Sequence, residues 1–72
     1  MSLEKFIYGI ISLYSNQTIE FELYTMRGVF LESFDNHDMS YDSDYDNYQI
    51  CLLFINDFEK ENIVLKLYLE EV

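Results

Sequence analysis

Between Phe34 and Tyr48 the chain carries five aspartates, three tyrosines and no lysine or arginine. Carboxylates at that density repel one another, and Asp and Asn side chains compete for backbone hydrogen bonds, so helix and strand pairing are both disfavoured there. Residues 35–47 therefore read as an acidic loop, and the more apolar halves on either side must supply the core. With 72 residues there is room for one domain and one core only.

The half before the loop holds the clearest strand pattern. Ile19, Phe21 and Leu23 alternate with Thr18, Glu20, Glu22 and Tyr24, a period of two that puts the apolar set on one face. Thr25-Met26-Arg27-Gly28 supplies a tight connection in which Gly28 can take a positive φ. Val29–Phe34 is a second strand, so residues 18–34 form a hairpin. After the loop, Tyr48–Ile55 is almost wholly apolar and reads as a strand covered on both faces, hence central in a sheet. A polar connection, 56–62, leads to Ile63, Leu65, Leu67 and Leu69 pointing inward, with Val64, Lys66 and Tyr68 outward. That closes a second hairpin, 48–70.

Residues 3–14 stay open between two readings. Leu3, Phe6, Ile7, Ile10 and Tyr14 fit one face of a helix that Ser2 caps. The Phe-Ile-Tyr-Gly-Ile-Ile centre favours strand slightly, because β-formers surround a glycine that costs a helix about 1 kcal/mol. The expected fold is mainly β to α+β. It is one small antiparallel sheet or open barrel of four to five strands, with residues 3–14 covering a face if they are helical.

Half the residues are apolar and 18% aromatic, which sets the chain apart from disordered sequences. Fourteen acidic against four basic residues give a net charge of −10. Nucleic acid and anionic membranes should repel such a chain, and a basic surface should attract it, faster at low salt. A single cysteine precludes an internal disulfide. Met-Ser-Leu-Glu-Lys does not read as a signal peptide, and no apolar run reaches the roughly 20 residues that span a bilayer. The expectation is a soluble protein of the host-cell cytoplasm.

Asp42, Asp44 and Asp46 match the first three ligand positions of a calcium-binding loop, and Asn47 can stand at the sixth. Leu53 occupies the twelfth, where a bidentate glutamate is needed, so a solvated acidic loop is the better reading. His37 between Asp35 and Asp38 lacks the partners of a zinc site and reads as an exposed loop residue. Cys51, among Ile50, Leu52 and Leu53, reads as a small packed hydrophobe. No nucleophile elbow and no Gly-rich phosphate loop occurs. The chain is accordingly expected to be non-catalytic, with no cofactor and no metal.

What remains is the acidic surface. Glu20 and Glu22 stand in a row on one strand face, and the hairpin partner is expected to bring Glu32 beside them. Asp35, Asp38, Asp42, Asp44 and Asp46 extend the array past the strand ends, with Tyr41, Tyr45 and Tyr48 interleaved as packing and hydrogen-bonding groups of an interface. Evenly spaced carboxylates satisfy the same Arg and Lys donors as a phosphodiester backbone. The plainer reading is an acidic face that keeps the protein soluble, or a composition biased by AT-rich coding DNA. A merely soluble face, however, needs no tyrosines.

In its size, its charge and the aspartate–tyrosine character of Asp35–Tyr48, the chain resembles the small acidic inhibitors made by phages and mobile elements, anti-CRISPR proteins and other nucleic-acid mimics. The resemblance implies a mechanism in which an acidic face fills the basic cleft of a nuclease or CRISPR effector. Two other classes fit the same features. One is an immunity protein covering a basic toxin nuclease. The other is an oligomerising module, a homodimer included, built on apolar edge strands.

Overall fold

A computed structural model of the chain describes residues 2–56 and 61–71. Leu3–Leu13 is a helix, α1, and four strands follow: β1 (Thr18–Thr25), β2 (Phe30–Asp35), β3 (Tyr48–Ile55) and β4 (Asn62–Glu71). The strands form one mixed, open sheet in the order β2-β1-β4-β3. The protein is thus mainly β with α+β character.

For residues 3–14 the slight preference for strand is corrected to helix. Leu3 and Ile7 are fully buried and Phe6, Ile10, Ile11 and Tyr14 pack around them, a stripe that only a 3.6-residue period can put on one side. Gly9 lies exposed on the opposite side, so its cost is confined to backbone entropy. Ser2 occupies the N-cap position, but its side chain makes no capping bond.

Both hairpins form, and the alternation in β1 and β4 is borne out. Ile19, Phe21, Leu23, Ile63, Leu65 and Leu67 are fully buried and Leu69 nearly so. Each such side chain removed from water contributes about 1.5–3 kcal/mol. The turn after β1 closes with the amide of Gly28 donating to the Thr25 carbonyl at 2.9 Å, and Gly28 has φ +86°. Residues 57–60 of the expected polar connection lie outside the described residues.

Three features differ from the expectation of a purely antiparallel sheet. The central pair, β1 and β4, runs parallel, with Phe21 opposite Leu65 and Leu23 opposite Leu67. The hairpins are therefore joined side by side through their inner strands, and β2 and β3 become the two edges, both pointing the same way. A chain leaving β2 must travel back along the sheet to start β3, and such crossovers need roughly a dozen residues. Residues 36–47 are that crossover, not a loop displayed beyond the strand ends.

The second difference concerns β3. Expected to be central, it is an edge strand: Cys51, Leu52, Leu53 and Phe54 are exposed, Phe54 by 56%. One helix and one crossover can blanket a single face of the sheet, so the apolar residues of β3 that point elsewhere remain uncovered among the described residues. Thirdly, each edge strand carries a bulge, at Leu31 in β2 and at Cys51 in β3. An extra residue reverses the facing of everything beyond it. Phe30 consequently pairs with Tyr24 on the uncovered face instead of joining Phe34 in the core.

Candidate anionic interface

The crossover is held to the sheet by its tyrosines. Phe21 stacks on Phe34 at 5.1 Å between ring centroids, and Phe34 stacks on Tyr41 at 4.6 Å, a column of three rings running from the sheet into the crossover. Tyr45 meets Tyr48 edge to face at 5.6 Å, and Met39, Tyr41, Tyr45 and Tyr48 all pack against the buried core. The interleaving of Asp and Tyr is therefore amphipathic: rings point inward and most carboxylates outward. Tyr41, Tyr45 and Tyr48, expected as interface side chains, have their rings engaged in holding the crossover down.

Electrostatics follow from that placement. Burial first, then the bond donated by its hydroxyl to Asp46 Oδ1 at 2.7 Å, pushes the Tyr41 phenol well above its ordinary range. Tyr45 is raised as well, by burial and then by the nearby Glu32 and Asp42 carboxylates.

The aspartates also shape the backbone that carries them. Asp35 Oδ1 accepts from the amides of His37 and Asp38, both at 2.8 Å, which turns the chain out of β2. Asn36 pins that turn to β1: its Oδ1 accepts from the Ile19 amide at 3.1 Å and its Nδ2 donates to the Gln17 carbonyl at 2.9 Å. Asp42 Oδ1 accepts from the Asp44 amide at 2.9 Å and caps a 3-10 helix, Ser43–Asn47. The Asp42 amide in turn donates to Glu32 Oε2 at 3.1 Å.

The register divides the acids between two faces. Glu20 lies opposite Asp35 and Glu22 opposite Ser33, so Glu20, Glu22 and Asp35 share the uncovered face. Glu32 lies opposite the buried Leu23. The expectation that Glu32 joins Glu20 and Glu22 in one row is thereby corrected: it stands on the helix side, next to Asp42. Asp38 lines a shallow cleft of about 410 Å³ with Thr18, Glu20, Ser33, Phe34, Asp35 and Ser40, which brings it beside the acids Glu20 and Asp35 of the uncovered face. Asp42 and Asp44 are exposed on the helix side, and Asp46 is partly withdrawn against Tyr41. Carboxylates thus flank the β2 edge from both faces, and Glu20 directly opposite Asp35 is a like-charge pair that destabilises the bare sheet.

His37 is exposed, as expected for a loop residue. Cys51 is not packed: it lies at the β3 bulge, exposed, with its thiol donating to Glu70 Oε2 at 3.2 Å. That bond holds the thiol above its ordinary range, the reverse of what a reactive thiolate needs. Among the described residues no helix is long and apolar enough to cross a membrane.

The sequence reading missed an aromatic band on the uncovered face. Tyr24 stacks on Tyr68 at 5.1 Å, Phe30 meets Tyr24 edge to face at 5.7 Å, and Phe54 meets Tyr68 likewise at 5.7 Å. Leu52 lies opposite Tyr68 and Phe54 opposite Lys66. Beside the band, Phe54, Ile55, Val64, Lys66 and Tyr68 line a shallow depression of about 420 Å³. A signal for it existed in the outward positions Tyr24 and Tyr68, which are aromatic where solvent-facing strand positions are usually polar. Comparison with protein families, with curated proteins and with solved structures finds no match to this chain.

Proposed function

We propose that this protein is a non-catalytic acidic inhibitor that acts in the host-cell cytoplasm. Its carboxylates take the place of nucleic-acid phosphates in the basic cleft of a nuclease or CRISPR effector. The observation that carries the reading is the placement of acids on both faces of the β2 edge. Glu20, Glu22, Asp35 and Asp38 lie on one side, and Glu32, Asp42 and Asp44 on the other. Carboxylates and phosphates satisfy the same bidentate arginine geometry, so an edge bearing both rows offers a cationic groove two lines of acceptors. Several of these acids are fixed by backbone amides, which lowers the ordering cost of binding. The like-charge opposition of Glu20 and Asp35 is relieved when an arginine or lysine comes between them. A net charge of −10 speeds encounter with such a partner.

The test replaces Asp35, Asp38, Asp42 and Asp44 together by asparagine and titrates both proteins against basic nucleases. Asparagine keeps the turn and capping acceptors, so the fold persists while four charges disappear. Affinity should fall roughly tenfold or more and lose most of its salt dependence. Unchanged affinity would remove the β2 edge from the contact. Should the partner be a basic toxin nuclease, the charge mechanism holds and the chain is an immunity protein.

A further inference from the structure

β3 is the one strand of the sheet without a charged residue; β1 carries Glu20 and Glu22, β2 Glu32 and Asp35, and β4 Lys66, Glu70 and Glu71. Among the described residues it is hydrogen-bonded to a neighbouring strand, β4, along one side only, and along the other Ser2 bridges to Gln49. From Cys51 to Ile55 the outer side of its backbone has no partner among the described residues, and Cys51, Leu52, Leu53 and Phe54 are exposed in succession. Natural sheets guard open edges with charge, and the opposite edge, β2, does so.

We propose that β3 pairs antiparallel with β3 of a second copy, about a two-fold axis at Leu53, joining the two sheets into one. Charge selects the occupant. A two-fold pair of identical strands sets each residue against a residue of the same strand. Of the two edge strands, β2 would thereby bring carboxylates close to carboxylates, whereas β3 brings none. A cationic strand finds no carboxylate on β3 to pair with and is drawn to β2 instead. The register also fits. With Leu53 on the axis, Leu52 lies opposite Phe54 of the second copy, and both residues belong to the uncovered face. The row Phe30, Tyr24, Tyr68, Leu52 then continues into Phe54 and Lys66 of the second copy. Pairing over residues 51–55 leaves the Ser2–Gln49 bridge intact.

This inference is independent of the inhibitor reading, and salt separates the two. Two bodies of charge −10 repel, so screening strengthens self-association while it weakens capture of a cationic partner.

Sedimentation equilibrium over a range of concentrations tests the proposal. A monomer–dimer equilibrium should shift towards dimer as salt rises, and Leu53→Lys and Phe54→Lys should each weaken it roughly tenfold or more. In a Cys51→Ser background, Leu53→Cys should cross-link the dimer on mild oxidation, whereas Val29→Cys should not. A protein that stays monomeric at roughly millimolar concentration in about 0.5 M salt overturns the proposal. So does a dimer that survives both lysine substitutions. Where a lysine variant fails to fold, the cross-link decides, and its absence equally overturns the proposal.

Discussion

Tyr41 separates a crossover anchored by its tyrosines from a loop that merely displays them. Its hydroxyl donates to Asp46 and its ring stacks on Phe34, which itself stacks on Phe21. Tyr41→Phe removes the hydrogen bond and keeps the ring. For a partly exposed pair in which the freed carboxylate can turn to water, the loss is about 1 kcal/mol. Tyr41→Ala also removes the ring. Burial of about 150 Å² at roughly 25 cal/mol per Å² gives ~4 kcal/mol, and the lost stacking adds ~0.5–1.5 kcal/mol. Urea unfolding followed by circular dichroism measures both variants, with the m-value checking that the unfolding transition is unchanged in kind. The expected order is wild type, then the phenylalanine variant, then a much weaker alanine variant close to unfolding. If Tyr41→Ala costs less than about 1 kcal/mol, the ring is not an anchor and the inward assignment of the tyrosines fails.

Phe21→Ala empties the centre of the core and should cost roughly 3–5 kcal/mol, read as a thermal melt lowered by well over ten degrees for a domain of this size. Stability should fall as pH rises above about 10, the ordinary tyrosine value. Below it, the folded and unfolded chains both hold the Tyr41 proton. Above it, the unfolded chain releases the proton first because the folded phenol is raised, so base favours unfolding, and Tyr41→Phe should flatten the dependence. Ultraviolet absorbance of the phenolate against pH follows both effects. Gly28→Ala forces a side chain into φ +86° and should cost about 1–2 kcal/mol, whereas Gly9→Ala, with open space around the new methyl, should gain about 0.5–1 kcal/mol.

The strands were legible where one face is buried and the other wet. Ile19, Phe21 and Leu23, and again Ile63 to Leu69, announce both their conformation and their facing, because burial on one side enforces a period of two. Tyr48–Ile55 misled for the opposite reason. A strand with apolar residues on both sides reads as central, yet the same pattern results when an edge is left uncovered. No local property of Leu52 or Phe54 distinguishes the cases; the number of covering elements does. Residues 3–14 were ambiguous because β-formers and helical spacing coincide there, and the sheet's need for a covering layer decides between them. The acidic segment was legible in composition and misjudged in direction. Tyr41, Tyr45 and Tyr48 fall at i, i+4 and i+7, the spacing of one helical face, but the dense aspartates and turn-forming residues around them read as loop, so the inward direction of the rings goes unread. Nor could Glu32 be placed from spacing alone, since cross-strand register decides which face it shares with Glu20 and Glu22.

The central claim is that the carboxylates around β2 substitute for phosphates in a cationic groove. Competition measures this directly: a fluorescent nucleic acid bound to a basic nuclease is titrated with this protein while anisotropy is followed. The account predicts displacement of the nucleic acid, weaker as salt increases and largely abolished when Asp35, Asp38, Asp42 and Asp44 are asparagine. If this protein binds the nuclease while the nucleic acid stays in place, the claim is contradicted.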